Sequence, residues 1–156
     1  MASFADIANK KIEDVERPPL APQGHYVFTI SKPAAVGRIV ESAKGRWEVV
    51  EFFATGSQAM DDVDPEDLEK FGGADRVRMT VSFMFPTEEE KQADFQTTEF
   101  RFRQFLEHMG MASDISLGQA TGECTGHSFV GKVEHRPDPN NAEIFYAEIR
   151  KTMPIT

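Results

Sequence analysis

The chain has one cysteine, one tryptophan and two tyrosines among its 156 residues. A single thiol forms no internal disulfide, and Cys124 has no C-x-x-C or Cys/His spacing around it, so it reads as a small core or loop residue rather than a zinc ligand. No apolar run approaches the roughly 20 residues that span a bilayer. The opening "MASFADIANKK" lacks the basic-then-apolar order of a secretory signal. The expectation is a soluble intracellular protein with no membrane contact. His25, His108, His127 and His135 never fall at i, i+4, the spacing that lets two imidazoles grip one metal. G-x-S-x-G, P-loop, H-E-x-x-H and G-x-G-x-x-G motifs are all missing, and Cys124 with His127 has no third group to orient a nucleophile. These absences predict a protein that is not an enzyme and carries no metal or cofactor.

Net charge is −9, but the acid is unevenly placed. Residues 61–75 hold seven acids and one lysine, and residues 86–99 hold five acids and one lysine. Outside these two segments the chain is nearly balanced, so a low isoelectric point does not exclude a polyanionic ligand. Carboxylates grouped in polar insertions read as solvated connections.

Along the chain, "SFADIANKKIEDVER" places Phe4, Ile7, Ala8 and Val15 at helical spacing behind a Ser3/Asp6 capping box, predicting an amphipathic helix within residues 1–17. Proline-rich "PPLAPQG" reads as a stiff linker over 18–24. A first strand is expected at 25–32, followed by a polar connection over 33–45, and a second strand at 46–56 whose two faces are equally apolar. The insertion "DDVDPEDLEKFGG" has Asp64 as N-cap, Pro65 at the first helical position and Gly72 just past the end, which predicts a short helix. The third strand, 76–85, alternates cleanly, with Val77, Met79, Val81, Phe83 and Phe85 on one face and Arg76, Arg78, Thr80 and Ser82 on the other. A core-facing helix is expected over 95–109, with Phe95, Phe102, Phe105, Leu106 and Met109 as its apolar stripe and Gly110 as its stop. Ser116 is placed to cap one helical turn. The closing hairpin pairs 127–135 with 143–151 across a long "RPDPNNA" loop, with Phe145, Ala147 and Ile149 expected in the core. There is no internal repeat.

This order gives a mainly β single domain, residues 1–156: a five-stranded OB-like barrel (β-β-β-α-β-β) spanning 25–156, with an N-terminal helix and a short helical insertion between strands 2 and 3. A split α+β sheet packed on one helix is the rival arrangement. The segments "FADIANKKIEDVERPPLAPQGHYVFTI", "DVDPEDL", "FRQFLEHMGM", "SLGQATGECTGHSFVGKVEHRPD" and "FYAEIRKTMPI" together resemble small single-stranded-DNA-binding-like OB proteins of tailed bacteriophages. The resemblance implies an accessory of phage DNA replication or recombination, working in the cytoplasm of the infected bacterial host. Its partners would be single-stranded DNA, further copies of itself, or other replication and recombination proteins.

Single-strand binding needs a basic groove for phosphates and exposed aromatic faces for bases. In an OB barrel the groove crosses strands 2 and 3 between the loops joining strands 1 to 2 and 4 to 5. Those elements hold Arg38, Lys44 and Arg46, then Arg76 and Arg78, then Lys132, Arg136 and Arg150, with Trp47 and Tyr146 as stacking candidates. A plainer reading stands beside this one: Arg78, Lys132 and Arg150 alternate with buried positions and would be the solvated face of a sheet, where Glu134 and Glu148 would pair with them across strands, and Trp47 would be core. A protein-binding adaptor is the alternative function, with Phe4, Ile7 and Val15 as its docking stripe.

Overall fold

In the computed structural model, which describes residues 3–155, the organising element is one five-stranded antiparallel sheet of spatial order β3-β2-β1-β4-β5. The strands are β1 (Gly24–Ser42), β2 (Gly45–Ala59), β3 (Arg78–Pro86), β4 (Ser128–Asp138) and β5 (Asn141–Met153). Four helices accompany them: α1 (Phe4–Ile7), α2 (Pro65–Phe71), α3 (Gln92–His108) and α4 (Leu117–Glu123). Three consecutive strands followed by a fourth that returns to lie beside the first make a Greek key. The sheet is not closed: β3 and β5 are its edges, with no ladder pairing them among the described residues. α3 packs against both edge strands.

The core is one apolar cluster held between the inner face of the sheet and the helices. Tyr26, Phe28 and Ile30 of β1, Phe52 and Ala54 of β2, and Phe129 and Val133 of β4 are all buried in it. α3 supplies Phe102, Phe105 and Leu106 on the expected stripe. Phe105 meets Phe52 and Phe129 with ring centroids 4.9 Å from each, and Phe83 lies 5.2 Å from Phe102. Edge-on aromatic contacts of this kind add about 0.5–1.5 kcal/mol each beyond the area they bury. Gly131, opposite Tyr26, leaves room for the neighbouring Phe28, because a Cβ there would lie 2.9 Å from the Phe28 ring.

Strand β1 runs ten residues past its expected end. Its first part, Gly24 to Thr29, lies between β4 and β2, whereas residues 32–42 pair only with β2. A ribbon solvated on both faces carries no period-2 signal, which is why 33–45 read as a loop. Instead the hairpin turns within Ala43 and Lys44. The β4–β5 hairpin likewise closes in two residues, Pro139 and Asn140, rather than through a long loop. Pro137 fits within β4 because that part of the strand has no β1 partner and needs no donor on that side.

Other expectations change as well. The N-terminal helix is one turn, α1, in which Ser3 N donates to the Asp6 carboxylate at 2.9 Å, followed by a 3₁₀ turn at Ile12–Asp14. Residues 1 and 2, where that helix was expected to begin, lie outside the described residues, as does residue 156. Phe4, Ile7, Ile12 and Val15 are exposed, and a helix this short is not sustained without a packed face. The 18–24 segment is anchored rather than free: the Tyr26 hydroxyl donates to the Pro22 carbonyl at 2.6 Å, and His135 Nε2 lies 2.7 Å from the Ala21 carbonyl. Ala147 and Ile149 pack on the core, but Phe145 is 44% exposed, because it sits on the part of the hairpin that projects beyond β1. Arg76 ends a 3₁₀ turn and lies outside the strand. α2 forms as expected: Asp64 Oδ1 accepts from Glu66 N at 2.9 Å and Asp67 N at 3.2 Å, and Gly72 terminates the helix at φ 116°. Before it, Asp62 takes the His25 backbone N–H at 2.9 Å and its Nδ1 at 2.6 Å, tying this connection to the start of β1.

If the aromatic cluster carries the fold, Phe52→Ala will cost about 3–5 kcal/mol in urea denaturation. Ile12→Ala, at a position 96% exposed, will stay within about 0.5 kcal/mol of the parent. A comparable loss at both positions would show that the N-terminal segment packs on the sheet.

Candidate nucleic-acid interface

The face of β2 opposite the main core carries Trp47, Val49, Glu51, Phe53 and Thr55, since its register with β3 is unbroken from Trp47 to Thr55 and Phe52 and Ala54 point inward; Val49 is buried on it. Across the ladder, β3 contributes Arg78 opposite Thr55, Thr80 opposite Phe53, Ser82 opposite Glu51 and Met84 opposite Val49. β1 contributes less regularly. Ile30 pairs with Ala54 on the core side, yet Lys32, only two residues on, pairs with Phe53. The register slips between them, and the extra residue turns Lys32 outward where plain alternation would have buried it. Its ammonium then sits 4.1 Å from the centre of the Phe53 ring. Two further slips, after Lys32 and after Ala35, bring Arg38 to the same face, where its guanidinium meets the Glu51 carboxylate.

Ser31, Lys32, Phe53, Thr55, Arg78 and Thr80 line a shallow depression of about 460 Å³ on this face. Among the described residues, neither Lys32 nor Arg78 has a carboxylate within ion-pair distance. The depression therefore offers one aromatic face, two uncompensated cations and three hydroxyls. It holds no nucleophile with an adjacent base. No group of three His, Cys, Asp or Glu side chains among the described residues is placed to hold a metal ion.

The sequence-predicted residues divide into two sets. Arg38, Trp47 and Arg78 share the β1–β2–β3 face, with Lys44 and Arg46 at its hairpin end. That end is latched by the β3–α3 connection. Lys91 Nζ donates to the Lys44 carbonyl at 2.7 Å and lies 5.3 Å from the centre of the partly exposed Trp47 ring, while Thr87 N donates to the Arg46 carbonyl at 3.0 Å. Arg46 itself pairs with Glu41 at 3.3 Å. Arg76 lies beyond the strand, as described above.

Lys132, Arg136, Tyr146 and Arg150 form the second set, on β4 and β5, and here the plainer reading holds. Lys132 pairs with Glu134 at 3.0 Å, Arg136 with Glu148 at 3.4 Å, and Arg150 lies 3.9 Å from both glutamates. The Tyr146 hydroxyl donates to Asp138 Oδ2 at 2.8 Å, and Arg17 lies 5.2 Å from the ring centre. Its aromatic face and its polar tip are thus already engaged. β4 reaches β1 only between Gly24 and Thr29, so from His25, opposite Lys132, to Arg38 is about 40 Å of strand contour.

Sequence reasoning missed Lys32 and Phe53. The signal for Phe53 was the tie between the two faces of the second strand, since a strand with aromatics on both faces must show one of them to solvent. Lys32 had no signal, because a bulge sets its direction.

Hydrogen bonding also shifts several ionisations. The Asn140 backbone N–H, and then the Tyr146 phenol, hold the Asp138 carboxyl below the usual carboxylate range, and the same contact pushes the Tyr146 phenol up. The His25 backbone N–H lowers Asp62. Burial pushes the Cys124 thiol up, and burial, then the Asp62 charge, pushes Tyr26 up to about 12.

No protein-family model matches the chain, and no curated protein matches it.

Both tyrosines should therefore resist ionisation in the folded protein. The fold favours the neutral Tyr26 phenol, so the stability linked to it is intact below about pH 10 and is lost as pH rises toward about 12. A spectrophotometric titration of Tyr146→Phe, which isolates Tyr26, should give a midpoint near 12, moving to about 10 in denaturant. A midpoint near 10 in the folded state would contradict the buried Tyr26–Pro22 contact.

Proposed function

We propose that the chain is a non-enzymatic, OB-like protein that binds single-stranded DNA with little sequence preference and serves phage DNA replication or recombination in the infected host cell. The observation that carries this reading is the depression around Phe53, where an aromatic ring shares its surroundings with two cations that have no carboxylate within ion-pair distance among the described residues. The strand order supports the fold part: a Greek key extended by one hairpin is the pattern of a five-stranded, partly open barrel, with the seam falling between β3 and β5.

In this reading the strand lies along the outer face of β1, β2 and β3. A base entering over Phe53 displaces the Lys32 ammonium, at a cost of about 0.5–1 kcal/mol for an exposed cation–π contact. The released ammonium is then free for a phosphate. Stacking returns about 1–3 kcal/mol per base, so the exchange favours binding. Arg78 supplies a further phosphate contact, while Arg38 is held by Glu51, and Trp47, about 20 Å along β2, is a second platform once Lys91 leaves its ring. The β4–β5 cations contribute little, because each phosphate contact there would first have to break an existing pair.

Fluorescence anisotropy with a mixed-sequence single strand tests the reading. Affinity should fall as salt rises, with a log–log slope of about −0.7 per phosphate contacted. Phe53→Ala should weaken binding roughly 5- to 150-fold, whereas Arg136→Ala with Arg150→Ala should leave it nearly unchanged. Absence of binding at micromolar protein, or binding insensitive to salt, would sink the proposal.

The adaptor reading keeps one observation of its own: Phe4, Ile7, Ile12 and Val15 are all exposed within one segment. Deleting residues 1–16 would then lower the mass seen by light scattering or abolish a partner pull-down. If neither changes, that reading fails.

A further inference from the structure

A carboxylate sits in the middle of the face proposed to receive a polyanion. Glu51 is two residues from Phe53 on the same side of β2, and its side chain is only 19% exposed. Its partners across the ladders are Ser82 and Ala35, so no other acid lies directly beside it on this face. Oε1 accepts from the Arg38 guanidinium, and Oε2 has no hydrogen-bond partner among the described residues. Arg38 offsets the charge that would otherwise repel phosphate. What remains is one acceptor, Oε2, two residues along the same face from the ring on which a base would lie.

We infer that Glu51 reads the edge of the base stacked on Phe53 and favours bases bearing an amino group, cytosine foremost, over thymine. The inference rests on the single-strand reading of this face. A two-residue step along a strand is about 7 Å, and half that distance is covered by the base itself as it overhangs the Phe53 ring. A carboxylate only accepts hydrogen bonds. Cytosine N4–H₂ is its matched donor, and adenine also offers an amino group. Thymine presents one N–H flanked by two carbonyl oxygens, which the carboxylate repels. The face is otherwise built of hydroxyls and cations that do not discriminate between bases, so Glu51 supplies its one directional contact.

The test compares oligo-dC with oligo-dT of equal length, at mildly alkaline pH where cytosine strands do not self-pair. The parent protein should bind oligo-dC roughly tenfold tighter, the lower end of what one good base contact discriminates. Glu51→Gln should bring the ratio near one, mainly by tightening oligo-dT, because an amide also donates to thymine carbonyls. Arg38→Ala breaks the same ion pair but keeps the carboxylate, so it should weaken both ligands and preserve the ratio. Equal, salt-dependent binding of both oligonucleotides by the parent overturns the inference and leaves the single-strand reading standing. A Glu51→Gln variant that shifts both affinities by one common factor also overturns it, since that is the signature of a purely structural pair. Failure to bind either strand removes the reading and the inference together.

Discussion

Strand β1 must serve two neighbours with one backbone, and the rest of the fold depends on how it does so. Among the described residues it is the strand that joins β4 and β5 to β2 and β3. Its first part is flanked on both sides and inserts Tyr26, Phe28 and Ile30 into the core, while its second part leaves β4 behind and continues as a ribbon with β2. Three register slips between Ile30 and Arg38 accompany this change of partner, after an earlier one between Val27 and Phe28. Bulges bend a strand and raise its twist, and here the bend separates a buried half-strand from a solvated one. The same slip turns Lys32 out onto Phe53. A device needed to curve the sheet thereby also builds the candidate site.

Electrostatics then distinguish two surfaces that composition alone makes look alike. Both the β1–β2–β3 face and the β4–β5 hairpin carry three cations from the sequence reading or its structural extension. On the hairpin, Glu134 and Glu148 engage all of them. Exposed pairs of this kind are worth only about 0–1 kcal/mol each to stability, so their consequence is local neutrality rather than rigidity. On the other face Arg38 pairs with Glu51, while Lys32 and Arg78 have no carboxylate within ion-pair distance among the described residues. The acid that makes the whole chain negative sits elsewhere, some of it in fixed roles: Asp64 caps α2 and Asp62 holds the start of β1.

Much of this was legible in the sequence wherever one face of an element is buried. The third strand, the α3 stripe and the α2 cap follow from periodicity and capping chemistry, which report burial and backbone needs directly. The failures share one cause. Residues 33–42 and the tip of the last hairpin form strands with water on both sides, so their composition is that of a loop. Phe4, Ile7 and Val15 show helical spacing but find nothing to pack on, and spacing without a partner does not make a helix. Of the candidate site, Arg78 and Trp47 were readable from their strands. The central pair, Lys32 and Phe53, was not: the tie between the faces of β2 left the direction of Phe53 open, and a register slip that leaves no mark on hydrophobic pattern sets that of Lys32.

The central claim is that the bulged β1–β2–β3 face, and not the closing hairpin, meets the nucleic acid. Amide chemical-shift changes on titrating a short single strand into isotopically labelled protein test it most directly. The account predicts that the amides of Ser31, Lys32, Phe53, Thr55, Arg78 and Thr80 move together and in a salt-dependent way, while those of Lys132, Arg136 and Arg150 stay in place. Shifts confined to the β4–β5 hairpin, with Phe53 and its neighbours unmoved, would contradict it.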